Sequence, residues 1–175
     1  FINKSISLEK FKKENYCRAG DIVFADASED LKDVGKSIEI VKLNNEKLLA
    51  GLHTLLPRQI KPKFVVGFGG YLFLNESIRK QIQRESQGTK VLSISATRLS
   101  NINLFYPDEE GEQQKIAACL SSLDELITAE RQKLELLKEH KKGLLQHLFP
   151  QEGEKVPRLR FKEFEKDGEW VEKRL

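Results

Sequence analysis

The residues that could do chemistry are few and scattered along the 175-residue chain. The glycine-rich stretch GFGGYL at 67–72 lacks the G-x-G-x-x-G spacing, following helix and later acid of a dinucleotide-binding turn, and it has no Walker lysine. It reads as a tight turn between strands. His53, His140 and His147 are isolated; the last two stand seven apart, and no cysteine or carboxylate completes a metal shell around them. Cys17 and Cys119 are far apart, lack metal-ligand neighbours, and read as buried thiols. Pro107, Asp108, Glu112 and Lys115 superficially match a PD…(D/E)xK nuclease pattern. Here, however, the glutamate and lysine are three apart at a predicted helix start, where acids serve the positive end of the helix. No nucleophile, base and orienting acid are grouped anywhere. The chain reads as a binding and assembly protein.

Charge is unevenly placed. The net charge is +3. Residues 1–55 are balanced, and 56–106 hold eight basic side chains (Arg58, Lys61, Lys63, Arg79, Lys80, Arg84, Lys90, Arg98) against Glu76 and Glu85. A local surplus of this kind suits contact with phosphates. Asp108, Glu109 and Glu110 follow it, and the remainder is neutral.

The strongest periodic signal lies between Glu112 and Leu148. Ile116, Leu120, Leu123, Ile127, Glu130, Leu134, Leu137, Lys141, Leu144 and Leu148 alternate spacings of four and three. That is a coiled-coil seam, narrower than the apolar face of a helix on a globular core, so the helix requires another long helix. The stretch carries six acidic and six basic residues, most of them on its flanks, as expected of solvated positions. Glu130 and Lys141 are polar members of the seam. Either they fix register, meeting across an antiparallel pair, or their stems bend away to water.

The segments ahead of this helix read as mixed α and β. Ile6, Leu8 and Phe11 precede a polar stretch, and Gly20–Asp21 turns the chain into a strand at Ile22–Ala25. A second strand is expected around Ile38 and Ile40. LLAGLHTLLPR and KFVVGFGGYLFL read as buried strands and turns, with a short helix near Tyr71–Gln83. Further apolar runs follow at Val91, Leu92 and Ile94 and at Ile102, Leu104 and Phe105, before Pro107 closes the domain. The fold class is therefore α+β: a mixed domain at 1–107, a long helix at 108–149 and a linker with the start of a further unit at 150–175. There is no methionine, so a chain opening on FINKS is expected to be part of a longer one. No signal-peptide pattern and no apolar run of about 20 residues is present, which makes a cytoplasmic location the expectation and excludes a membrane-spanning helix.

The stretches GDIVFADAS, LLAGLHTLLPR, NLFYPDEEGEQQKIAACLSSLDELI and AERQKLELLKEHKKGLLQHLF together resemble the specificity subunit of type I restriction-modification enzymes. In that family a target-recognition domain ends in a proline-containing strand, an E-Q-x-x-I start opens a spacer helix, and a second recognition domain follows with W-x-x-x-x-L. Glu112, Gln113 and Ile116 match the start; Glu169, Trp170, Lys173 and Leu175 match the opening of the next domain. The resemblance implies two recognition domains at opposite ends of antiparallel spacer helices, each reading half of a split double-stranded DNA target. It implies docking of methyltransferase (modification) and restriction subunits, with the second spacer helix of a full-length chain, or a homodimer partner, covering the seam. S-adenosylmethionine, ATP and magnesium would belong to those partner subunits, and this chain would bind no cofactor or metal and perform no catalysis.

Within the basic segment, Lys61, Lys63, Arg79 and Arg84 flank apolar runs, are expected to point outward, and are candidate phosphate contacts. Gln87, Thr89, Lys90 and Arg98 are candidates nearer the bases, since glutamine pairs adenine bidentately and arginine or lysine reads guanine. Two other readings stay open: a coiled-coil adapter whose mixed domain binds protein, and a degenerate fragment without DNA binding.

Overall fold

A computed structural model describes residues 12–59, 61 and 63–174. The expected apolar positions Ile6, Leu8 and Phe11 lie outside them. The chain forms two compact units, Phe1–Ser121 and Ser122–Leu175.

The first unit is built on a three-stranded antiparallel sheet. Strand β1 (Ile22–Ala25) lies between β3 (Ser37–Glu39) and β4 (Thr54–Leu55), with Val23 opposite Ile38 and Phe24 opposite both Ser37 and Leu55. A second, two-stranded ladder pairs β2 (Ala27–Ser28) with β5 (Leu92–Ser93). Alternation along β1 sends Ile22 and Phe24 to one face and Val23 to the other, and both faces are covered. Ile22 and Phe24 join Val34, Phe68, Leu72, Phe73, Ile78, Ile82 and Ile94 in the main core, while Val23 packs with Cys17 and Ile40. Phe24 meets Phe73 edge to face at 4.9 Å. Burying a side chain of this size stabilises by about 2–3 kcal/mol, so β1 is the element the domain can least lose.

Helices α1 (Phe68–Leu74) and α2 (Glu76–Glu85) supply the other side of that core. Here the expectation of a tight turn at GFGGYL is wrong. The helix starts at Phe68, with Gly67 in the left-handed region at φ 95°. The Glu39 carboxylate, 28 residues earlier, accepts from the backbone N–H of Gly67 and of Gly70, each at 2.7 Å. These N–H groups are among the donors that a helix start leaves without intrahelical partners, and a negative charge is favoured there. Gly69 then lets α1 approach the sheet, because a Cβ on it would stand 2.6 Å from Ile22 Cδ1. Asn75 separates the two helices and accepts from Ser77 N–H through its side chain.

Two further expectations need correction. Of LLAGLHTLLPR and KFVV only Thr54–Leu55 is a strand, and 102–105 runs as irregular chain packed on the core, so the domain does not end in a strand. Gln81 holds this run by accepting from Asn103 N–H at 2.9 Å and donating to Asn103 O at 3.0 Å. Helix α3 (Ala96–Leu99) is a single turn capped by Ser95.

Helix α4 is continuous from Glu110 to His147, 38 residues or about 57 Å. Glu110 and Glu112 occupy its first turn as the sequence suggests. Gln113 is its single buried residue, and Leu134 and Leu137 are 51% and 56% exposed. The apolar seam is therefore open to solvent from Leu120 to Leu137, while Leu144 and Leu148 are half-buried. In the second unit the helix ends at His147 and the chain bends at Leu148–Phe149. Leu159 N–H then donates to His147 O at 2.8 Å, and Trp170 packs edge to face on Phe149 at 6.0 Å. No helix among the described residues is long and apolar enough to cross a membrane.

Candidate nucleic-acid interface

The eight basic side chains of 56–106 separate into those that hold the domain together and those that face solvent. Arg58 belongs to the first group. Its guanidinium engages both carboxylate oxygens of Asp21 at 3.0–3.2 Å and donates to Glu14 O at 2.5 Å and to Tyr16 O. Asp21 is buried, and its hydrogen bond raises the Arg58 pKa above its ordinary value. Such a fork fixes the segment before β1 and the loop after β4 to the same point.

Arg79, expected to point outward, turns inward instead. Its Nη1 donates to Gly35 O at 2.6 Å, and its Nη2 donates to Lys32 O at 2.9 Å and Val34 O at 2.8 Å. Burial lowers its pKa, an effect that Asp33 partly opposes. A guanidinium that closes the 30–35 turn on three carbonyls has its donor fork committed. Lys80 pairs with Glu76 at 2.7 Å on the exposed face of α2. Arg98 is half-buried: its Nη1 donates to Glu85 O at 3.2 Å and stands 3.6 Å from the Glu85 carboxylate, fixing α3 to the carboxyl end of α2.

Four cations remain without a carboxylate partner among the described residues: Lys61, Lys63, Arg84 and Lys90, all exposed. Lys61 and Lys63 sit on a loop closed by Gln59, whose Oε1 accepts from Lys63 N–H at 2.6 Å and from Phe64 N–H at 3.2 Å. Arg84 occupies the last turn of α2. It leads directly into a tight turn at 87–93, where Gln87 and Ser93 exchange both backbone hydrogen bonds at 2.8–2.9 Å. Gly88 at φ 138° makes that turn possible, since a Cβ there would lie 1.9 Å from Val91 O. Gln87, Thr89 and Lys90 are all exposed on it. The structure thus gathers Arg84, Gln87, Thr89 and Lys90 into one short polar run and places Lys61 and Lys63 on a separate loop.

One residue matched in the sequence has a role that its spacing did not disclose. The fully buried Gln113 accepts from Val65 N–H at 3.0 Å and donates to Lys63 O at 2.9 Å and Pro107 O at 2.7 Å. It fastens the start of α4 to the loop carrying Lys63 and to the proline that precedes the helix. Ile116 and Ala117 pack on the main core beside it. Ile116 therefore belongs to the domain's own packing, and the open seam begins at Leu120.

No group of three or more His, Cys, Asp or Glu able to hold a metal occurs among the described residues. Cys17 is buried, with its pKa raised first by that burial and then by Asp21, whereas Cys119 is exposed, contrary to the expectation of two buried thiols.

Comparison with known proteins points one way. The family model of the type I restriction modification DNA specificity domain matches residues 2–139, covering the mixed domain and most of α4. A specificity subunit named for the type I restriction enzyme MjaX of Methanocaldococcus jannaschii is 32% identical over 155 residues, which is 85% of this chain and 35% of that protein. The fold is similar to the crystal structure of a type I restriction-modification system S subunit from M. genitalium, with a TM-score of 0.56 at 17% identity over 80% of this chain and 35% of that one. The chain spans about a third of the length of either relative. With most of its length matched by the family model, the chain belongs to the type I restriction-modification DNA specificity domain family.

Proposed function

We propose that this chain recognises one half of a split double-stranded DNA target for a type I restriction-modification complex. The observation that carries the reading is that the family match runs through the domain and the helix together, residues 2–139. The side-chain geometry supports it, because the unpaired cations of 56–106 lie on the Gln59-closed loop, in the last turn of α2 and on the tight turn that follows it. Lys61, Lys63 and Arg84 contact phosphates; Gln87, Thr89 and Lys90, on the tight turn, reach toward base edges. Arg98 acts from behind that turn, through its hold on α2.

Helix α4 serves as the spacer. Its seam pairs with a second spacer helix, either in a longer chain or in a second copy, and its charged flanks dock the methyltransferase and restriction subunits. Methylation, cleavage, S-adenosylmethionine, ATP and magnesium belong to those partners. A helix of about 57 Å is long enough to hold two half-sites more than one B-form turn of about 34 Å apart.

The test is binding to a random-sequence duplex across a salt series. Three phosphate contacts predict that log K falls with log salt at a slope of about −3. A slope of zero, or no binding at low salt, contradicts DNA recognition and leaves a protein-binding adapter.

A further inference from the structure

His53 is isolated in the sequence, and the fold gives it a neighbour. Asp26 lies where the chain passes from β1 to β2, and its backbone ties two loops to one point. Its N–H donates to His53 O at 3.2 Å, and its C=O accepts from Ile94 N–H at 2.8 Å. On either side of it Ala25 pairs with Thr54 and Ala27 with Ser93. The tip that leads into β4 and the strand that closes the 87–93 turn therefore meet at a single residue. Ser93 in turn exchanges backbone hydrogen bonds with Gln87, so Gln87 stands two strand spacings from Ala27, about 10 Å. That distance matches about three base steps of 3.4 Å.

The tip presents two side chains to solvent. Leu52 is 98% exposed, more than any other large apolar residue described, and the His53 side chain is 87% exposed. Its shape is fixed, because Thr54 Oγ1 donates to Gly51 O at 2.6 Å across it. Nothing in the domain packs on Leu52.

The Asp26 carboxylate sets the imidazole. Its Oδ1 is buried, has no hydrogen-bond partner among the described residues, and stands 3.7 Å from His53 Nδ1. That is too long for a hydrogen bond, yet a carboxylate at this range favours the tautomer with its proton on Nδ1. Nε2 is then the acceptor, on the side away from Asp26. With Asp26 beside the tip, and Glu29 and Asp30 exposed just after β2, a phosphate is disfavoured here. Base edges suit the two side chains better. A neutral imidazole nitrogen can accept from the amino group of adenine or cytosine, and an exposed apolar side chain can meet a thymine methyl.

We propose that Leu52 and His53 form a second base-reading element beside the 87–93 turn, with His53 Nε2 accepting from an exocyclic amino group, Leu52 against a thymine methyl, and Asp26 as the positioning residue for the imidazole. The proposal rests on the DNA reading above and adds specificity residues to it.

The test is selection from a random duplex pool by the parent chain and by single variants, with the salt slope and the unfolding midpoint measured for each. His53→Ala should relax the preference at one base pair by about tenfold, and Leu52→Ala should relax a thymine preference next to it by about threefold. Both positions should lie within about three base pairs of the one that Gln87→Ala relaxes. Slopes and midpoints should stay at the parent values, since neither side chain is buried or contacts a phosphate. Asp26→Asn keeps both backbone hydrogen bonds; it should relax the same base pair as His53→Ala and add nothing in the His53→Ala background, a result that a merely structural role would not produce. Variants of Leu52 and His53 that select the parent's sequences overturn the proposal, as does a loss equal on all sequences with a shallower slope, which marks a phosphate contact. Relaxed positions remote from that of Gln87→Ala overturn the shared corner. A parent that binds with the expected slope and selects no sequence overturns base reading and leaves DNA binding standing, whereas a parent that binds no duplex at low salt overturns both.

Discussion

The mixed domain and the long helix handle polar and apolar groups in opposite ways. In the domain, long polar side chains turn inward: Arg58 onto Asp21, Arg79 onto the carbonyls of 32–35, and Gln113 onto three backbone groups. On α4 beyond Ser121, leucines and one isoleucine face water while the charges lie beside them. The domain is self-satisfied, and its outward chemistry resides in the few side chains left over. The helix keeps apolar side chains in water, and the spacer pairing proposed above rests on them.

This contrast fails most visibly if Arg58 is dispensable. Arg58→Ala leaves Asp21 buried without its counter-charge and should cost the domain about 3 kcal/mol in denaturant unfolding. Gln113→Ala orphans a donor and two acceptors at once and should cost about 2–3 kcal/mol. Leu137→Asp, in contrast, should leave the unfolding of the domain within about 0.5 kcal/mol of the parent. The same change should weaken self-association about a hundredfold, read by sedimentation, because it places a charge at the centre of the apolar seam.

A finer division runs through the domain itself. Arg79→Ala should destabilise the 30–35 turn and leave the salt slope of DNA binding unchanged. Arg84→Ala should do the reverse, reducing that slope by about one unit with little loss of stability. The smallest effect is chemical. With Cys17 buried and its thiol held protonated, native protein should consume one equivalent of a thiol reagent at Cys119, and unfolded protein two.

How much of this was legible in the sequence follows the same divide. The helix was legible because its 4-3 spacing is local and its caps are adjacent residues. Strand β1 was legible for the same reason, being four apolar residues after a Gly–Asp turn. GFGGYL was misread because what makes it a helix is the Glu39 carboxylate, 28 positions away, which satisfies its first N–H groups. Arg79 was misread as outward because its acceptors are backbone carbonyls, and carbonyls leave no trace in residue identity. Gln113 was visible as a motif letter but not as a bracket, since two of its three partners lie about 50 residues earlier. Ile116 kept the seam period while serving the domain core, a double use that periodicity cannot divide. The turn at 87–93 was approachable, with glycine and polar residues together, and its candidates do stand on one exposed turn.

The central claim is that the cations left free by the domain's internal bonding are the ones that meet DNA. It is tested most directly by comparing the salt slope of duplex binding for the parent chain with that for a variant carrying Lys61→Ala, Lys63→Ala, Arg84→Ala and Lys90→Ala. The account predicts a slope near −3 for the parent and close to zero for the variant, with equal unfolding midpoints. Equal slopes for the two proteins would contradict it.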